Sequence, residues 1–209
     1  MPPTSAPEDA GGLWLLTLQR AIGRASHDVK DALNGVSVNL EVIRSRAARP
    51  DAPATSLVQF GEAAGQQLER LTILLDAVLA LARVERAPAD VAATLRRVVA
   101  VCGASASSAD AAVMLVDEGL VDSAHTRVQG DVVRLALMAP MLDLVTGTKR
   151  GLRPSAVTCT ITGTDTSVQV VIAADGRRVT MPDGIAGTLR GAGVRWTDGD
   201  DLSLAFPRA

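Results

Sequence analysis

Tyrosine is absent from this chain, and its only aromatic residues are two phenylalanines and two tryptophans. Platforms on which bases stack are therefore scarce, and 21 Lys and Arg against 23 Asp and Glu leave no basic excess to attract a phosphate backbone. Nucleic acid is not an expected partner. Cysteine is nearly missing too: Cys102 and Cys159 lie far apart, without a second Cys or His at ligand spacing. No metal site is expected, and a disulfide is allowed but not required. Long apolar runs are lacking, since LWLLTL (Leu13–Leu18) is too short to span a bilayer, and Met1–Gly12 is Pro-, Ala- and Ser-rich without a basic leader. The expectation is a cytoplasmic protein with no membrane span, taking any input from another protein.

What is present is helical periodicity. The chain has 209 residues, 47% of them apolar, enough for one large domain or two small ones. Leu18, Ile22, Ala25, Val29, Ala32 or Leu33, Val36, Leu40 and Ile43 recur at steps of three and four, which predicts a helix from about Leu13 to Ala48. His27, one of two histidines, falls off that stripe. Its neighbours at three, four and seven residues are Arg20, Gly23, Arg24, Lys30, Asp31 and Asn34, a polar patch with a glycine opening. An exposed imidazole there offers a ring lone pair able to attack phosphorus.

ARPDAPAT then breaks the helix with two prolines. A second helix is expected from about Ser56 to Arg86, with a stripe of Leu57, Phe60, Ala64, Leu68, Leu71, Leu75, Val78 and Ala82. Two such helices form an antiparallel hairpin that cannot cover its own apolar stripes, so burial alone predicts a homodimer closing a four-helix bundle. The segment around Pro88 reads as a boundary, giving an arm over 1–12, a hairpin over 13–87 and a second domain over 88–209. There the pattern predicts helices at Asp90–Cys102 and Gly130–Thr146. Strands are predicted at Ala112–Asp117, Ala156–Thr162, Ser167–Ala173, Val194–Thr197 and Leu202–Phe206. The fold class is α+β: a hairpin followed by an α/β sandwich.

The residues His27, Asp28, Val29, Lys30 and Leu33 of HDVKDALN resemble the phosphoacceptor box of two-component histidine kinases. Asp31 stands where that family carries an amide or hydroxyl, and Ala32 where it often carries proline. QLERLTILLDAVLALARVE resembles the family's second helix, and GDVVRL (Gly130–Leu135) the start of its ATP-binding helix. Beyond that motif the family's metal-coordinating and nucleotide-facing asparagines are replaced by Met141 and Val145, which offer no oxygen to a hard cation. Pro140 is expected to interrupt the helix. Asp175 and Gly176 match the adenine-binding strand end, but Arg177, Arg178 and Val179 follow where glycines belong, and Gly187, Gly191 and Gly193 read as turn residues.

The resemblance implies a kinase-derived histidine phosphotransferase with a degenerate ATPase-like domain. It would pass a phosphoryl group between His27 and the aspartate of a response-regulator or hybrid-kinase receiver. In this likeness Asp28 orients the imidazole or takes its proton, while Arg24 and Lys30 neutralise phosphoryl oxygens and Gly23 admits the partner. No cofactor is expected on the chain, and Mg²⁺ would come with the receiver. Two alternatives stand beside this reading: a divergent soluble kinase that autophosphorylates with ATP, and a non-catalytic scaffold that docks receivers. Taken without the box, His27 is a solvated side chain and Asp28, Lys30 and Asp31 are surface charges. His125 sits in a polar loop, Met138 and Met141 read as core fillers, and Arg177 and Arg178 as turn charges.

Overall fold

Two long helices open the structure, α1 (Ala10–Ala47) and α2 (Thr55–Ala82), packed as an antiparallel hairpin. The computed structural model describes residues 10–49, 53–83, 89–107, 112–117, 124–146 and 156–209. The first part of the expected arm, the centre of the interhelical turn and the expected boundary around Pro88 lie outside the described residues. Arg44 and Arg46 in the last turn of α1 complement its dipole. Arg46 also fixes the hairpin tip, donating from Nη1 to the Ser56 carbonyl at 3.2 Å and lying 4.7 Å from the Phe60 ring centroid. Midway along, the amide end of the Gln67 side chain lies over Gly35, where a Cβ would meet it.

The C-terminal part is a sheet with helices on one face. Its elements are β1 (Ala89–Asp90), α3 (Val91–Ser107), β2 (Ala112–Asp117), β3 (His125–Thr126), α4 (Gly130–Thr146), β4 (Ala156–Gly163), β5 (Ser167–Ala174), α5 (Asp183–Gly191), β6 (Arg195–Thr197) and β7 (Leu202–Pro207). Five strands form one sheet in the order β2-β4-β5-β7-β6, with β2 and β4 parallel and the remaining pairs antiparallel. Alternation decides the faces: Val157, Cys159 and Ile161, then Val168, Val170 and Ile172, then Leu202, Leu204 and Phe206 point inward. β1 and β3 form a separate ribbon, and Asp90 accepts the Ala93 N–H at 3.0 Å to cap α3. Thr126 donates to the Pro207 carbonyl at 2.6 Å, which ties this ribbon to the chain's last strand.

Helix α4 is buried on nearly all sides from Val132 to Leu142, as expected of a helix that is apolar all round. Pro140 does not interrupt it: the helix continues to Thr146. A proline inside a helix costs about 3 kcal/mol, and close packing around Leu137, Met138, Met141 and Leu142 offsets that cost. Helix α5 was not legible in DGIAGTLRG, whose two internal glycines weaken its propensity; burial of Ile185 and Leu189 against the core holds it.

One core joins the hairpin to the sandwich. Trp14, Leu18, Ala21 and Ala25 of α1 and Leu74, Ala77 and Leu81 of α2 belong to the same apolar cluster as α3, α4 and the sheet. The small side chains at Ala21, Ala25 and Ala77 allow that close approach. The stripe therefore divides differently from its periodicity. Leu18, Ala25 and Val36 are buried, whereas Ile22, Leu33, Leu40, Leu68 and Leu75 face outward.

Candidate functional site

His27 sits near the middle of α1, exposed, and among the described residues its imidazole takes part in no hydrogen bond or ion pair. At about 100° per residue, Arg20 and Asn34 lie almost in line with it along the helix. Ile22, Leu33 and Leu40 lie roughly 120–140° round from it. Gly23, Lys30, Asp31 and Asn34 are exposed, so α1 displays the imidazole within a polar, solvent-facing patch. A Cβ at Gly23 would meet nothing within 4 Å, which leaves the surface beside His27 open.

The remaining candidates are tied down. Arg20 forms an ion pair with Asp143 of α4 at 3.3 Å, with 63% and 50% of the two side chains exposed. It thereby anchors the His27 face to the sandwich. Arg24 is half-buried, with Nε shielded from solvent, and its charge is felt by Cys102 in the core below. Its guanidinium thus belongs to the junction of hairpin and sandwich. Asp28 is also half-buried and engaged in a polar interaction. Asp143, 123 positions from Arg20 in the sequence, carried no local signal, since its partner is set by how α4 packs on α1.

The two cysteines are free and buried, which settles the disulfide question left open by spacing. Burial pushes the Cys159 thiol up to about 12, and pushes Cys102 higher still, with the nearby Cys159 raising it and Arg24 opposing. Each thiol lies 3.8 Å from a methionine sulfur, Cys102 from Met138 and Cys159 from Met141. Met141 and Val145 are buried in this core. At the end of β5, Asp175 is exposed and Gly176 takes a positive φ of 65°. Arg177 turns back to donate to the Leu144 carbonyl at 3.4 Å. Gly191 and Gly193 serve the reversal from α5 to β6. Gly193 N–H bonds the Arg190 carbonyl and Val194 N–H the Leu189 carbonyl, both at 3.0 Å, with Gly193 at φ 80° in a Schellman motif.

Among the described residues no group of three or more His, Cys, Asp and Glu is placed to hold a metal, and no helix is long and apolar enough to cross a membrane. No family profile and no curated protein matches the chain. Solved structures similar to it include an Acinetobacter baumannii histidine kinase, AdeS, at 13% identity, covering 87% of this chain and 97% of that one with a TM-score of 0.41. The histidine kinase domain of an Erythrobacter litoralis blue-light activated kinase is 15% identical, covering 90% and 94% with a TM-score of 0.43. The histidine kinase ThkA, solved in complex with the response regulator TrrA, is 11% identical over 93% of this chain and 63% of that one, with a TM-score of 0.42.

Proposed function

We propose that this chain is a histidine phosphotransferase of a two-component phosphorelay, exchanging a phosphoryl group between His27 and the aspartate of a receiver domain. The observation that carries the reading is an exposed, uncommitted imidazole at the centre of an acceptor-like box on a helical hairpin. In the forward step a ring nitrogen of His27 attacks the receiver's aspartyl phosphate in line. The N–P bond forms as the P–O bond to the aspartate breaks, and the aspartate leaves as a carboxylate. The other ring nitrogen keeps its proton, and the resulting positive charge is favoured by Asp28, the adjacent carboxylate. Lys30 stands on the exposed patch, where its ammonium can neutralise phosphoryl oxygens. Positioning and charge neutralisation supply most of what such a transfer needs.

Charging by ATP is not part of this reading. Met141 and Val145, where kinases present asparagines, are apolar and buried, and α5 lies against α4 with Ile185 and Leu189 in the shared core. These residues do not fit a nucleotide with its Mg²⁺, so the receiver supplies the metal. The chain acts as a homodimer, because Ile22, Leu33 and Leu40 on α1 and Leu68, Leu75 and Leu79 on α2 are exposed apolar side chains at helical spacing.

The test is incubation with phosphorylated receivers, looking for an acid-labile, base-stable label on the chain. Wild type acquires the label and His27→Ala does not. Label on the Ala variant, or retained relay output without any label, would sink the transfer. Labelling by ATP alone would show a kinase instead.

A further inference from the structure

At the free edge of the five-stranded sheet, a groove of about 650 Å³ runs along the outer strand β6. Arg190, Arg195, Trp196, Thr197, Ser203 and Gln169 supply most of its lining, and among the described residues no carboxylate lines it. Two guanidinium groups facing one groove without an acid is an uneven placement for a chain whose net charge is -2. Both arginines are exposed, and among the described residues neither is in an ion pair. The carboxylates nearest in sequence, Asp198, Asp200 and Asp201, follow in the β6–β7 loop, where Asp198 Oδ1 accepts the Met181 N–H at 2.7 Å.

The arrangement is built by local structure. The Schellman turn at Gly193 folds the end of α5 back on β6, which brings Arg190 over the indole of Trp196, 5.1 Å from the ring centroid. Stacking holds that guanidinium in place, so less side-chain freedom is lost when it meets an anion. The same stacking covers an indole face, which disfavours a ligand that needs an aromatic platform. Beside the arginines, Thr197 and Ser203 lie opposite one another across β6 and β7, and Gln169 adds an amide from β5. β6 is the terminal strand of its sheet, with no strand beyond it among the described residues. Its outer edge is a template for an added strand.

We infer that this groove docks an extended acidic peptide segment, laid along β6 with its carboxylates on Arg190 and Arg195. His27 is not among the residues that line the groove, and the inference does not depend on phosphotransfer. An extended peptide fits the open trough and strand edge better than a small anion, which would need an enclosing pocket.

The probe is a fluorescein-labelled peptide alternating glutamate and valine, titrated with the full chain and followed by anisotropy. A lysine–valine peptide is the charge control. Wild type binds the acidic peptide and not the basic one. R190A/R195A weakens binding by about tenfold or more, while R190K/R195K retains part of it, and thermal melting of both variants stays near wild type because the side chains are exposed. Equal affinity in R190A/R195A, or no binding by wild type, overturns the inference. Full displacement of the peptide by inorganic phosphate at matched concentration also overturns it, in favour of a small-anion site.

Discussion

The guanidinium of Arg134 lies 5.9 Å from the centre of the Trp14 indole, inside the seam where the hairpin meets the sandwich. Its side chain is 2% exposed and pairs at 3.0 Å with Asp131, which is 38% exposed. A buried cation of this kind is sustained by fixed neighbours, so the seam is more sensitive to losing a neighbour than to losing the charge itself. Trp14→Ala is expected to cost about 3–5 kcal/mol. Arg134→Met, which keeps the volume and removes the charge, is expected to cost less. Urea denaturation of both variants checks the order, and a larger loss for Arg134→Met would contradict it.

The exposed leucines on the hairpin make a prediction about assembly. Burying one leucine side chain contributes about 1.5–3 kcal/mol, so Leu40→Glu together with Leu68→Glu should raise the dimer dissociation constant by at least about a hundredfold. Sedimentation velocity over a concentration series reads this directly. A wild-type chain that stays monomeric at high concentration would remove the dimer from the proposal.

Alkaline stability should follow the thiols. Burial raises Cys159 from 9.0 to about 12 and raises Cys102 as well. In the unfolded chain both thiols ionise as pH passes about 9, whereas in the folded chain they stay protonated. The unfolded state then binds fewer protons, so stability is full below about pH 9 and falls as pH rises toward 12. Tyrosine is absent and lysine occurs only at Lys30 and Lys149, so few other side chains titrate in that window. Unfolding free energy should decline from pH 9 upward, by about 1.4 kcal/mol per pH unit for each thiol; melting temperature should fall with it, and Cys159→Ala should flatten the slope. At neutral pH, iodoacetamide should label neither cysteine until the protein unfolds.

Gly193 is required by its backbone, with φ at 80°. Gly193→Ala forces an L side chain into the left-handed region at a cost of about 1 kcal/mol, which corresponds to about 2–4 °C in melting temperature for a chain of this size. Gly23→Ala, whose added Cβ meets no atoms within 4 Å, should raise the melting temperature slightly, because alanine is favoured over glycine inside a helix by about 0.5–1 kcal/mol. If it slows transfer from a phosphorylated receiver at the same time, the open surface beside His27 is used by the partner.

Periodicity alone located α1, α2 and the long strands within a few residues, because apolar spacing reports which side of an element is buried. The exposure of His27 was legible for the same reason: it falls off the stripe. Helix α5 and the two-residue strands were not, since their stability comes from contacts distant in sequence rather than from local propensity.

Within the site, sequence named His27 and its helical neighbours but could not say how each is used. That Arg20 reaches Asp143, that Arg24 is half-buried with its Nε shielded, and that Arg190 and Arg195 share a groove with Trp196 were decided by tertiary packing. Local order follows from the chain's own spacing of apolar and polar residues. Which charges meet depends on how helices and sheet stack to bury that apolar surface, and only the folded chain brings those distant positions together.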